Sequence, residues 1–298
     1  MITIHSTTFN RGYIIGKAYE SLCRQTCKDF EWIISDDGST DNTEELVKSW
    51  QQKDNGFPII YSKLSHVGFP RALNDGVSKS NTDWFLMLDS DDYLVPEAIE
   101  KVCEWIREIE NEEKIVGVGF CRCYPDGRYM KDQLPIIDEG KGYVDAKNTE
   151  RAKYHLDMDC CEVYRVAILR QFPFQCWPTE QYAPPSLNMN AMAFAGWKVR
   201  WHPDKLYICE YLPDGISRNN IKVKRNPMGY AMMYNQLLLI HQSFKKRCED
   251  AIQMTALTIA AGNLSYLRNT NAMGITILTL FVGIVWGIRR IIQFRKMK

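Results

Sequence analysis

The sequence predicts an α/β protein organised around a mainly parallel central sheet flanked by helices. Through residues 1–125, strand patterns alternate with helix patterns of about 10–15 residues on short connections, the signature of right-handed βαβ units. Each polar cluster in that stretch also sits where an apolar strand pattern stops. In such sheets ligands bind beyond the carboxyl ends of the strands.

Ile2 to Thr7 reads as the first strand, followed by a helix with Ile14, Ala18 and Leu22 on one side. The apolar run Phe30–Ile34 is the second strand, ending in Ser35-Asp36-Asp37-Gly38. Asp41, with Glu44 three residues on, resembles a capping box opening a helix that carries Leu46, Val47 and Trp50. Ile59–Tyr61 is the third strand, and Pro70 precedes a short helix over Arg71–Lys79. Trp84–Leu88 is the fourth, stopped by Asp89-Ser90-Asp91-Asp92, and Pro96 suits the first turn of a helix reaching about Asn111. Val116–Tyr124 is the fifth, turned at Pro125-Asp126-Gly127. Beyond 130 the pattern is mixed, with strands at Lys198–His202 and Leu206–Tyr211, and 226–270 reads as helical.

Of 298 residues, 37 are Lys or Arg and 36 are Asp or Glu, for a net charge of +1, and 45% are hydrophobic. Near-neutrality removes any global attraction to nucleic acid, and the apolar share is that of a folded chain. The ten cysteines form no CxxC pair and no zinc-finger spacing, and Met1-Ile2-Thr3-Ile4 runs straight into a strand with no secretory leader. Reduced thiols in a cytosolic compartment are the expectation.

Four clusters carry chemistry. Asp89 and Asp91 leave a strand two residues apart, where the backbone stops alternating sides, so both carboxylates can converge on one hard cation shared with a diphosphate. An acidic helix N-terminus explains the same residues. Asp37 could accept hydrogen bonds from a base or ribose while Gly38 permits a tight turn; a plain capped βα turn is the alternative. In Thr7-Thr8-Phe9-Asn10-Arg11, Phe9 could stack on a base and Arg11 reach a phosphate, though a strand-to-helix turn fits equally. Arg71, near a helix start, reads as a phosphate ligand or as an ordinary surface residue.

In order, placement and spacing, the stretches TTFNR, QTCKDFEWIISDDGSTDNT, RALNDGVSKSNTDWFLMLDSDD and YLVPEAIEKV resemble glycosyltransferase family 2, the inverting nucleotide-sugar transferases of GT-A fold. The likeness covers 1–125 strongly and runs more loosely through CWPTEQYAPPSLNMNAMA and ICEYLPDGISRN to about 227. It implies a nucleobase pocket lined by Thr7 and Phe9, with Asp37 accepting from the base and Arg71 near the diphosphate. It also implies that Asp89 and Asp91 are the Asp-x-Asp pair, with Asp91 binding Mn²⁺ or Mg²⁺ directly and Asp89 nearer the ribose or metal. The family's usual Tyr is Phe at position 9, which keeps stacking and loses a hydroxyl. The implied donor is most often a UDP-sugar, and the implied acceptor a glycan or lipid-linked saccharide in polysaccharide synthesis.

Inversion by a single displacement needs a carboxylate to take the acceptor's proton opposite the leaving diphosphate. The family supplies it from a Glu-Asp or similar pair. The corresponding Pro178-Thr179-Glu180-Gln181 makes Glu180 the candidate, with Asp157, Asp159 and Glu162 as fallbacks. Arg218 lies in a Gly-containing loop that leads to Lys222, Lys224 and Arg225, and it is expected on the diphosphate as part of a closing lid; a solvated charge run is the other reading. A sugar nucleotidyltransferase is the enzymatic alternative, but Thr7–Arg11 lacks the Gly-rich basic loop such enzymes carry. A degenerate carbohydrate- or membrane-binding module would show a broken Asp-x-Asp, and this one is intact.

The implied organisation is a GT-A domain over 1–225, with a nucleotide half to 125 and an acceptor half after it, then a helical extension over 226–298. Within the extension, Ala272 to Ile288 carries no charge and spans roughly 25 Å, the short edge of a bilayer crossing. Arg289, Arg290, Arg295, Lys296 and Lys298 follow. Positive-inside bias with one crossing would put the catalytic domain outside, away from cytosolic nucleotide-sugars. An interfacial segment meeting anionic head groups avoids that conflict and places the chain in the cytoplasm, against the membrane's cytoplasmic face. A true span, or a helix buried in a protein interface, are the other readings.

Overall fold

The computed structural model describes residues 1–210 and 221–296. The chain falls into two compact units, residues 1–173 with 191–210, and 174–190 with the chain beyond 210. Residues 174–190 therefore group with the C-terminal helices, whereas the sequence pattern places them in a domain ending at 225.

In the first unit, β1 (Ile2–Thr8), α1 (Gly16–Cys23), β2 (Phe30–Asp36), α2 (Thr43–Gln51), β3 (Ile59–Lys63), α3 (Phe69–Lys79) and β4 (Trp84–Met87) follow in the expected alternation. After them come β5 (Tyr93–Leu94), α4 (Ala98–Glu108), β6 (Ile115–Cys123), β7 (Val144–Ala146), β8 (Cys160–Arg165), α5 (Val166–Leu169), α6 (Ser186–Phe194, divided between the units) and β9 (Lys198–Ile208). The nine strands form one sheet in the order β3-β2-β1-β4-β8-β6-β9-β5, with β7 beside β9. β1 runs parallel to both β2 and β4, setting Thr8 opposite Asp36 and His5 opposite Met87. The chain thus winds outward from β1 through β2 and β3, then returns across it to β4. That switch puts the tips of β1, β2 and β4 on one edge, where a ligand crevice opens in such sheets.

β2 is buried along its whole length, as a strand covered on both faces must be. Its one internal charge, Glu31, accepts a hydrogen bond from Thr3 Oγ1 at 2.6 Å. Tyr19 stacks on Trp50 with centroids 4.2 Å apart, and Trp32, Val47, Leu86 and Phe120 continue the core. α3 crosses β1 so closely that a Cβ on Gly76 would lie 2.2 Å from the His5 ring. Burial lowers the His5 pKa to about 3, so the ring is neutral, stacked on Phe85 and hydrogen-bonded with Ser35 Oγ at 2.9 Å.

Several local expectations are corrected. The capping box does not form: Asn42 is the N-cap of α2, Asp41 accepts from the Thr43 and Gly12 amides at 3.0 Å, and Glu44 turns to Lys48 and Lys63. Two cations within reach outcompete a return to the cap. The two strands expected over 198–211 are one strand, β9, whose irregular register against β6 absorbs Pro203 as a bulge. β8 lies antiparallel between β4 and β6.

The second unit holds α7 (Ile221–Arg225), α8 (Pro227–Ile240), α9 (Phe244–Ala260) and α10 (Met273–Lys296). Met228, Ala231, Leu238, Ala251, Met254 and Leu257 form its core. α10 buries its small residues, Thr276, Thr279, Gly283 and Gly287. A Cβ on Gly283 would sit 2.7 Å from Thr255, so this approach to α9 needs a glycine. The large side chains of α10 face outward, with Ile277, Leu278 and Phe281 exposed, the last at 77%. Among the described residues this helix is long and apolar enough to cross a membrane.

Candidate active site

Two loops from the tips of β1 and β2 are stitched together by short polar links. Asn10, at φ 53°, accepts the Thr40 amide on Oδ1 at 2.8 Å and donates its own amide to Ser39 Oγ at 2.8 Å. Asp37 donates its amide to Thr8 O at 2.8 Å, and its carboxylate accepts the amides of Val67 at 2.6 Å and Gly68 at 3.0 Å. Asp37 therefore holds the turn before α3, and His66 Nδ1 of that turn stands 3.3 Å from its Oδ2. Arg71, in the first turn of α3, braces the same turn by donating to Val67 O at 2.7 Å. The turn carries His66 to within 4.4 Å of the Phe9 ring, centroid to centroid. Phe9 is 43% exposed, so the pair offers an aromatic surface beside the strand tips. Thr7 lies half-buried opposite Ser35. Sequence reasoning missed His66; its only signal was the Gly68-Phe69-Pro70 turn that follows.

The acidic cluster follows β4. Asp89 Oδ2 accepts from Arg122 Nη1 at 2.8 Å, and the same nitrogen lies 3.4 Å from Asp92 Oδ2. The Arg122 guanidinium sits 4.1 Å from the Tyr207 ring centroid, and the Tyr207 hydroxyl accepts the Asp89 amide at 2.8 Å. Arg11 Nη1 stands 3.8 Å from Asp91 Oδ2 and donates to the Tyr13 hydroxyl at 2.7 Å. Arg11, Asp89 and Asp91 thus come together as the sequence suggests, along with Arg122, Tyr207 and Asp92, to which it gave no role. The signal for Arg122 was a single cation inside the apolar run from Val116 to Tyr124.

Burial, and then the charge of Asp89, raise the carboxyls of Asp91 and Asp92, the latter to about 8. Three carboxyls thus crowd around two guanidiniums, and a cation that displaced the proton held by Asp92 would find a third charged oxygen donor there. These crowded hard oxygens suit a small divalent cation. Among the described residues no three His, Cys, Asp or Glu side chains could hold an ion alone, so further ligands would come from a bound diphosphate and water.

Two of the fallback carboxylates are engaged: Asp157 pairs with Lys131 at 2.7 Å and buried Glu162 with Arg151 at 3.2 Å, while Asp159 accepts the Arg122 amide on its backbone carbonyl at 3.2 Å. Glu180 belongs to the second unit. Its two oxygens accept the Met228 and Gly229 amides at 2.7 Å each, anchoring the start of α8. Burial raises its pKa against the pull of those two amides. Arg218 lies outside the described residues.

Residues 3–172, more than half of the chain, match the family model for Glycosyl transferase family 2. The chain belongs to this family. Its mixed sheet is that of the GT-A fold. Among curated relatives, GalNAc(5)-diNAcBac-PP-undecaprenol beta-1,3-glucosyltransferase of Campylobacter jejuni is 31% identical over 125 residues, 42% of this chain and 39% of that protein. The uncharacterized glycosyltransferase RP339 of Rickettsia prowazekii is 30% identical over 146 residues, 46% of this chain and 44% of the other. The match spans less than half the length of either relative. Among solved structures, S. aureus TarS 1-349 in complex with UDP-GlcNAc superposes with a TM-score of 0.63 at 16% identity, covering 97% of this chain and 82% of that one. The mannosyltransferase PcManGT from Pyrobaculum calidifontis, in complex with GDP-Man and Mn2+, gives 0.57 at 13% identity over 96% and 86%. At such identities the two structures speak for the fold alone.

Proposed function

We propose that this family 2 glycosyltransferase is a metal-dependent inverting enzyme that moves a sugar from a UDP-sugar to a glycan or lipid-linked saccharide at the cytoplasmic face of a membrane. The observation that carries this reading is Arg11, two residues beyond the Phe9–His66 ring pair, standing 3.8 Å from Asp91. An aromatic surface and an acidic cluster thereby meet at adjacent strand tips, as a base joined to a diphosphate would require. The TarS structures with UDP and UDP-GlcNAc support the donor class, and the undecaprenol-linked substrate named for the Campylobacter relative supports the acceptor class.

Phe9 and His66 stack on the base, with Thr7 and Asp37 lining its pocket. Asp91 and Asp89 would hold Mn²⁺ or Mg²⁺, which when bound offsets the charge developing on the leaving diphosphate. Arg11 and Arg71 add positive charge beside the phosphates. Glu180 takes the acceptor hydroxyl's proton as that oxygen attacks the anomeric carbon, and the bond to the diphosphate breaks on the opposite face. A carboxylate whose proton affinity is raised by burial suits that task. The exposed apolar side of α10 supplies the membrane contact.

Calorimetry with UDP, with and without Mn²⁺, tests the reading on wild type and Asp91→Asn. Affinity that rises with Mn²⁺ in wild type only is expected. The reading fails if Mn²⁺ changes neither protein, or if no nucleotide-sugar in a donor screen releases its nucleoside diphosphate.

A further inference from the structure

The last turns of α10 enclose, with Val223 of α7, a cavity of about 680 Å³. Trp286, Arg289, Arg290, Gln293, Phe294 and Lys296 line it, linked by three- and four-residue steps that place them on one flank of the helix. Three of these are cations. Among the described residues, no carboxylate stands within ion-pair distance of Arg289, Arg290 or Lys296. Arg290 bonds to Gln253 Oε1, while its Nε is buried without a hydrogen-bond partner. The helix contributing Val223 reads Ile-Lys-Val-Lys-Arg, which adds to the basic character of this end.

Arg290, part-buried with its Nε unpaired and flanked in the cavity by the exposed Arg289 and Lys296, calls for an anion. The apolar wall of Trp286, Phe294 and Val223 calls for hydrocarbon, and the volume far exceeds that of a phosphate alone. One helical turn back, the same helix exposes Phe281, Val282 and Ile284. Diffuse attraction of a basic patch to an anionic surface needs no cavity.

We infer that this cavity binds the phosphate head of a membrane lipid, whose chains lie along the exposed apolar side of α10. The inference rests on the membrane contact proposed above, and vesicle flotation of the full chain separates the two. Vesicles of phosphatidylcholine alone are compared with vesicles also carrying phosphatidylglycerol. Wild type should favour the phosphatidylglycerol vesicles, and Arg289→Gln should cut that preference about tenfold. Arg295→Gln, a cation outside the cavity lining, should cut it by less than half as much. Binding to phosphatidylcholine alone should stay unchanged in both variants. Equal losses in the two variants would mean diffuse charge and overturn the site. Competition by millimolar inorganic phosphate would assign the cavity to a free anion and overturn the lipid. Equal wild-type binding to both vesicles would overturn the site and leave the membrane contact standing; no binding to either would remove both.

Discussion

Arg122 donates to Asp89 at 2.8 Å while lying 3.4 Å from Asp92, so one guanidinium serves two of the three carboxylates that follow β4. It reaches them from β6 with its plane over Tyr207, whose hydroxyl in turn receives the Asp89 amide. Arg122 is thus the internal counter-ion of the proposed metal site. Arg122→Met should destabilise the fold by about 3–5 kcal/mol, because carboxylates are left without their partner. Added Mn²⁺ should then raise Tm more in the variant than in wild type, since the ion takes over the missing charge. Thermal melts with and without Mn²⁺ check both, and equal melting of the two proteins would end this role.

Asp92 makes the same crowding visible as a pH dependence. Its folded carboxyl holds a proton to about 8, against an ordinary value of 3.8, chiefly through burial and then through Asp89. Between those values the folded chain keeps a proton that the unfolded chain releases. Stability from this group is therefore present at acid pH and lost as pH rises toward 8. Asp92→Asn should flatten the fall, gaining ~2–4 °C in Tm at pH 8 for each kcal/mol recovered. Melting curves from pH 5 to 8 decide it: parallel pH profiles for the two proteins would show that Asp92 titrates normally.

The Phe9–His66 pair predicts a nucleotide-affinity effect separable from the metal. Stacking on an aromatic ring contributes about 1–3 kcal/mol per base. Phe9→Ala should weaken UDP binding by about 5- to 150-fold, and His66→Ala by less, while the response to Mn²⁺ persists. Phe9→Tyr should bind at least as well as wild type, because stacking is retained. Calorimetry with UDP checks the series, and unchanged affinity in Phe9→Ala would place the base elsewhere.

How much of this was legible in the sequence follows from what local pattern can encode. The strands β1 to β4 and the polar clusters at their ends were readable, because parallel strands are apolar runs and the switch point fixes which tips meet. Arg122, Tyr207 and His66 were not. Each is brought to the site by β6, β9 or a positive-φ turn, through pairings distant in sequence. The capping box failed for a related reason: Lys63 on β3 lies nineteen residues from Glu44, and no local motif anticipates its ion pair. α10 was readable as an apolar stretch. That its small residues point inward and its large ones outward emerged only from its packing on α9.

Glu180 carries two readings that one substitution can separate. Its oxygens hold the Met228 and Gly229 amides, so part of its role is to fix the first turn of α8. Glu180→Gln keeps one acceptor oxygen and the side chain's shape while removing the basic group. As an anchor alone, it should lower Tm through a loss of about 1–3 kcal/mol, and kcat well below Tm should hold. As the base, it should lower kcat by about 10²–10⁴-fold at unchanged UDP affinity. We expect both effects together, with the acid limb of the kcat profile abolished in the variant. Steady-state kinetics with a donor that wild type turns over, run beside a melting curve, provide the check: a lower Tm with kcat intact would confine Glu180 to the helix start.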